Sequence, residues 1–88
     1  MSSMPLFVIE RLFADSLELS KADVDGVTAI NDETGVTWLF SFLSADKKKT
    51  YCLYEADDAD AIREAARRNG IPADVITEVS ELRPEQFV

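Results

Sequence analysis

No part of this chain constrains its fold as tightly as Lys49 to Val79, KTYCLYEADDADAIREAARRNGIPADVITEV. It reads as strand, helix, strand, each with a start and a stop. Thr50 to Tyr54 are β-branched, aromatic or apolar, which suits a pleated, largely buried surface. The run ends at Glu55-Ala56-Asp57-Asp58, where an Asp accepts backbone N–H bonds at a helix start and further carboxylates favour the positive end of the helix dipole. The stretch Asp58–Asn69 is rich in Ala, Arg and Glu, with Ile62, Ala65, Ala66 and Asn69 on one face. Arg67 and Arg68 sit in the last turn, Gly70 suits a left-handed cap, and Pro72 stops the helix. Val75–Val79 is then a short strand, parallel to the first within one sheet.

Earlier in the chain, Leu6–Phe13 is expected as a first strand with apolar residues on both faces, as in a strand covered from two sides. Alternation sends Glu10 and Arg11 to opposite faces; at a strand end both are expected to reach solvent, the other reading being that one enters a pocket. Ser20-Lys21-Ala22-Asp23 resembles a capping box, opening a helix from Lys21 to about Asn31 with Val24, Val27 and Ile30 on its apolar face. Asn31–Gly35 reads as a turn and Val36–Leu43 as the second strand. Period-2 alternation puts Trp38, Phe40 and Phe42 on one face of it and Leu39, Ser41 and Leu43 on the other. Lys47-Lys48-Lys49 falls at the hairpin loop leading to the third strand, Thr50–Ala56.

The order βαββαβ defines an α+β, ferredoxin-like sandwich: a four-stranded antiparallel sheet in the order 4-1-3-2 with both helices on one face. One domain over residues 1–88 is expected, with 1–5 and 80–88 as flexible or dimer-packing tails and Phe87 as an end anchor. Such a sheet leaves one face without helices. Because the first three strands are apolar on both sides, that face is expected to be covered, most simply by a second copy of the chain.

Charge and residue inventory exclude several functions. The formal net charge of −8 repels nucleic acid and anionic membranes, and the RNA-binding pattern of this topology is missing. No segment approaches the apolar length of a membrane span. The start, MSSMPLFVIERLF, lacks the pattern of a secretory leader, and Cys52 is the sole cysteine, so a reducing cytoplasm is the expected compartment. Histidine is absent, so Ser41 and Ser44 have no imidazole to activate them and no catalytic set is visible. Asp57, Asp58 and Asp60 read as helix-start residues before they read as hard-cation ligands. Cys52 is a candidate soft-metal ligand, although a lone Cys in an apolar strand is more often a small buried hydrophobe.

Several of these stretches resemble a small bacterial family catalogued as a domain of unknown function, whose members include nickel-binding, nickel-responsive proteins. The resemblance lies in Glu10-Arg11, Trp38-Leu39-Phe40-Ser41, Tyr51–Ala56, Ala61–Glu64 and Pro72–Val79. It implies a dimeric ferredoxin-like fold and nickel as a bound metal, with Cys52 the candidate ligand. The chain departs from the family texture at Ala65, where a His is common, and at Phe40, where a basic residue is common; its first helical region is also shorter. The leading expectation is a small non-catalytic homodimer that binds a metal or a small apolar ligand. The alternative is a dimeric enzyme of monooxygenase, isomerase or cyclase type using the open sheet face as its cavity. Glu10, Arg11, Trp38, Tyr51 and Tyr54 are the candidate lining residues in either case.

Overall fold

A computed structural model describes residues 4–87. The elements run β1 (Leu6–Leu12), α1 (Lys21–Thr34), β2 (Thr37–Leu43), β3 (Lys49–Glu55), α2 (Ala59–Asn69), β4 (Val75–Val79) and a final 3₁₀ turn, Pro84–Phe87. The four strands form one antiparallel sheet in the order β2-β3-β1-β4, which is the expected 4-1-3-2 read from the other edge. The leader expected to be frayed falls partly outside the described residues. Within them, the Pro5 carbonyl already accepts the Ala56 N–H at 3.2 Å.

β1 lies between β3 and β4, with Ile9 opposite Cys52 on one side and Ile76 on the other. These three, with Phe7 and Tyr54, floor the side of the sheet that carries the helices. α2 seats itself there with Ile62, Ala65 and Ala66, all buried. Its ends match the sequence expectation: Asp58 accepts the Ala61 N–H at 2.9 Å, and Gly70 at φ 69° closes the C-terminus. Asp58 is thus engaged as the helix cap, and Asp60 pairs with Arg63 at 2.9 Å one turn on.

α1 packs differently. Ser20 and Asp23 make both bonds of a capping box, Asp23 N–H to Ser20 Oγ at 3.1 Å and Ser20 N–H to Asp23 Oδ2 at 3.0 Å. The helix continues through the residues read as a turn and ends at Thr34, because Gly35 (φ 78°) takes the left-handed cap and donates to the Asn31 carbonyl. Only Asn31 of this helix is buried; Val24, Val27 and Ile30 are half-buried. α1 leans on α2, where Arg68 pairs with Glu33, more than on the sheet, and leaves space beneath it.

Two side-chain placements differ from the expectation. In β2 the pairing passes from Trp38↔Tyr54 to Phe40↔Leu53, so Leu39 is an extra residue, a β-bulge. The bulge breaks the alternation: Trp38 and Ser41 share the helix side, while Phe40 and Phe42 face the open side, opposite Leu53 and Tyr51. Phe87 is 75% exposed and anchors nothing among the described residues.

Candidate functional site

The space under α1 is a cavity of about 170 Å³. Its floor comes from β1 and β3 as Arg11, Thr50, Cys52 and Tyr54. The β2 wall is Trp38, Ser41 and Leu43, brought to one side by the bulge. Its rim is the β1–α1 connection, through Phe13, Leu17 and Leu19, and the roof adds Val27 and Ile71. That connection is fastened across the sheet end, Phe13 N–H to the Lys48 carbonyl at 2.8 Å and Leu17 N–H to the Lys47 carbonyl at 2.7 Å.

The polar groups in this apolar space are few and held in place. The Trp38 indole donates to Ser41 Oγ at 2.8 Å, and the Cys52 thiol points to Thr50 Oγ1 at 3.5 Å. Arg11 is only 3% exposed and so does not reach solvent as a strand-end residue would. Its Nη1 donates to the Pro72 carbonyl, and its guanidinium lies 5.6 Å from the centre of the Tyr54 ring. Asp74 secures the same corner, accepting the Leu12 N–H at 2.8 Å and donating its own N–H to the Glu10 carbonyl at 3.0 Å. Glu10-Arg11 and Pro72-Ala73-Asp74, far apart in the chain, therefore form one junction. Burial pushes the Tyr54 phenol pKa up; the nearby Arg11 charge works against that rise without cancelling it.

The five residues expected to line one site divide between two faces. Arg11, Trp38 and Tyr54 meet at the cavity. Glu10 and Tyr51 lie opposite one another on the open face. There Lys49 bridges them, its Nζ 3.0 Å from Glu10 Oε1 and 4.8 Å from the centre of the Tyr51 ring. Both contacts raise the Lys49 pKa, the hydrogen bond to Glu10 most. Around this pair the open face exposes Phe40 (51%), Phe42 (66%), Leu12 and Val75, with the Phe40 and Phe42 rings edge to face at 5.7 Å. Leu17 and Leu19 were not singled out from the sequence, although two leucines spaced by two in an otherwise polar connection are the signal of a segment with something to cover.

Layers and strand order together define a ferredoxin-like α+β protein. The chain belongs to the nickel responsive protein SCO4226-like family, whose model matches residues 7–79. The crystal structure of SCO4226 from Streptomyces coelicolor A3(2) is similar in fold, with a TM-score of 0.75 at 20% identity over 89% of this chain and 99% of that one. No curated protein matches the chain significantly. Among the described residues no helix is long and apolar enough to cross a membrane.

The family description raises nickel, and the donor set tests it. Imidazole and thiolate are the side chains that suit nickel. The chain has no histidine, Cys52 stands alone in an apolar cavity, and among the described residues no three Cys, Asp or Glu groups converge. These residues do not fit a closed nickel site within a single chain.

Proposed function

We propose that this protein is a small, non-catalytic, cytoplasmic homodimer that binds a small apolar ligand between α1 and the sheet. The observation that carries the reading is the cavity itself: Trp38, Leu43, Leu17, Leu19 and Val27 surround a space of about 170 Å³. An apolar void of ~150 Å³ accepts a benzene-sized guest, so this one holds a single ring or a short branched chain. The cavity hydroxyl of Ser41 receives the Trp38 N–H and has no imidazole beside it, which favours a binding site over a nucleophilic one.

The second copy is proposed on the open face, where Phe40, Phe42, Leu12, Tyr51 and Val75 are exposed together. A contiguous apolar patch of this kind is a common mark of an interface, and pairing two such sheets removes both from water.

Trp38 is the only tryptophan and lines the cavity, so its fluorescence reports occupancy. Titration with cyclohexanol should shift its emission saturably, and Val27→Phe, which fills the space without adding a second tryptophan, should abolish both the shift and the heat read by calorimetry. A folded protein that shows neither heat nor shift up to millimolar ligand would overturn the reading. Nickel is tested separately by calorimetry against Cys52→Ala. Heat above the buffer control that disappears in the variant would return Cys52 to the role of metal ligand.

A further inference from the structure

One wall of the cavity is not secondary structure. The floor and side come from β1, β2 and β3, Val27 belongs to α1, and Ile71 is tied to the end of α2 by its N–H to the Ala66 carbonyl at 3.1 Å. The remaining lining residues, Phe13, Leu17 and Leu19, lie on the strap between β1 and α1. Leu19 lines the cavity and is nevertheless 50% exposed, which puts it at the mouth. Between Phe13 and Leu19 every hydrogen bond among the described residues runs to the tip of the β2–β3 hairpin. Phe13 N–H donates to the Lys48 carbonyl at 2.8 Å, Leu17 N–H to the Lys47 carbonyl at 2.7 Å, and Ser16 Oγ to the Asp46 carbonyl at 3.5 Å. The tip is itself a constrained turn. Lys47 is the only residue other than glycine, among the described residues, with a positive φ, 63°, a conformation that a lysine adopts at a cost. Asp46 holds it there: its Oδ1 accepts from Ser44 Oγ at 2.6 Å and, across Lys47, from the Lys48 N–H at 3.0 Å.

We propose that the Phe13–Leu19 strap is the gate through which a guest enters the cavity, and that the Asp46-Lys47 turn is its latch. The inference rests on the cavity reading above and adds the route of entry. Swinging the strap away breaks two backbone bonds and one side-chain bond, all at a hairpin tip whose Asp46, Lys47 and Lys48 are exposed, so water replaces each lost partner. The other walls open at greater cost. Lifting α1 separates Glu33 from Arg68 and unpacks the two helices, and parting the strands breaks the ladder that pairs β1, β2 and β3. A segment with few buried contacts and few bonds is where local opening concentrates. The strap lifts Leu17 and Leu19 off the mouth together, since both lie beyond its last bond to the body of the sheet at Phe13 except for the one made by Leu17 itself. Release of the turn at Lys47 withdraws the acceptor of that bond.

Cys52 supplies the readout, because it is the sole cysteine, is buried and lines the cavity. The full chain is treated with 4,4′-dithiodipyridine, an uncharged disulfide too large for the closed cavity, and the thiopyridone released by exchange with the Cys52 thiol is followed by absorbance. In Asp46→Ala, which loses both bonds of the turn, labelling should be about tenfold faster than in the wild type. Lys47→Gly, which takes the same backbone conformation without strain, should label no faster than the wild type. Low urea should leave the wild-type rate almost unchanged, since the opening exposes little surface. A wild-type rate that rises with urea along the full unfolding slope would overturn the gate, because the thiol would then be reached through global unfolding. So would equal rates in Asp46→Ala and wild type, or acceleration by Ser20→Ala at the start of α1 in place of Asp46→Ala. Calorimetry with cyclohexanol on the same proteins separates the two readings: heat of binding together with an unmoved labelling rate overturns the gate and leaves the cavity reading standing, whereas no heat overturns the cavity reading and the gate with it.

Discussion

The indole N–H of Trp38 donates to the hydroxyl of Ser41, three residues on in the same strand, at 2.8 Å. In a regular strand residues three apart lie on opposite faces, so this bond exists only because Leu39 is bulged out. Ser41→Ala leaves the N–H without that partner at a half-buried site and should cost about 1 kcal/mol. Trp38→Ala should cost about 2–4 kcal/mol of folding stability, because Trp38 packs against the core from the helix side. Chemical denaturation at several protein concentrations checks both: a Trp38 variant destabilised only in dilute solution would place the ring at a subunit seam instead.

Phe42 carries the opposite prediction. It is 66% exposed on the open face, and Phe42→Asp should leave the monomer folded while weakening self-association by about 2 kcal/mol or more. Sedimentation at micromolar concentration reads this directly. A Phe42→Asp protein that sediments as the wild type would remove the open face from the assembly.

α1 should be the looser helix. It buries one residue, Asn31, whose Nδ2 is left without a close hydrogen-bond partner among the described residues, whereas α2 buries Ile62, Ala65 and Ala66. Its amides should exchange with deuterium faster than those of α2. Ser20→Ala removes the capping oxygen and should cost about 1 kcal/mol, further accelerating exchange in α1. Equal protection of the two helices would contradict the packing described.

Stability should fall at both ends of the pH scale. Tyr54, raised from its ordinary 10.0 by burial, keeps its proton in the folded chain where the unfolded chain has lost it, so stability drops as pH climbs past 10.0 toward the folded value. Lys49 acts in the same direction: its bond to Glu10 raises it from 10.5, so its contribution is complete below 10.5 and lost as pH rises through the folded value. Asp23, lowered from 3.8 mainly by the Ser20 backbone N–H, contributes above 3.8 and loses that contribution as pH falls through its folded value. Urea melts across pH check the windows, and Tyr54→Phe should flatten part of the alkaline decline.

How far these features could be read from letters depends on whether the cause is local. The strand–helix–strand of Lys49–Val79 carries its own caps and stops, and it appears with its helix start shifted by a single residue, Asp58 serving as the cap. α1 runs beyond its expected end because Asn31, Asp32 and Thr34 are turn formers as well as tolerable helix residues, and Gly35 decides between the two. The bulge at Leu39 has no glycine or proline to announce it, so strict alternation put three aromatic residues on one face where two belong. Arg11 escaped for a different reason: what buries it is the loop around Pro72, which lies far along the chain and returns to β1 only in the folded molecule. The candidate site was accordingly half legible: its five residues were assigned to one surface, whereas Arg11, Trp38 and Tyr54 meet at the cavity and Glu10 and Tyr51 lie on the open face.

β2 is an edge strand, and its sequence TWLFSFL is the kind of flat apolar segment that templates fibrils. The same extra residue that turns Trp38 inward also interrupts the row of N–H and C=O groups that β2 presents to its surroundings. An incoming strand finds no continuous ladder to extend, so a device that shapes a cavity inside the molecule also discourages uncontrolled polymerisation at its border.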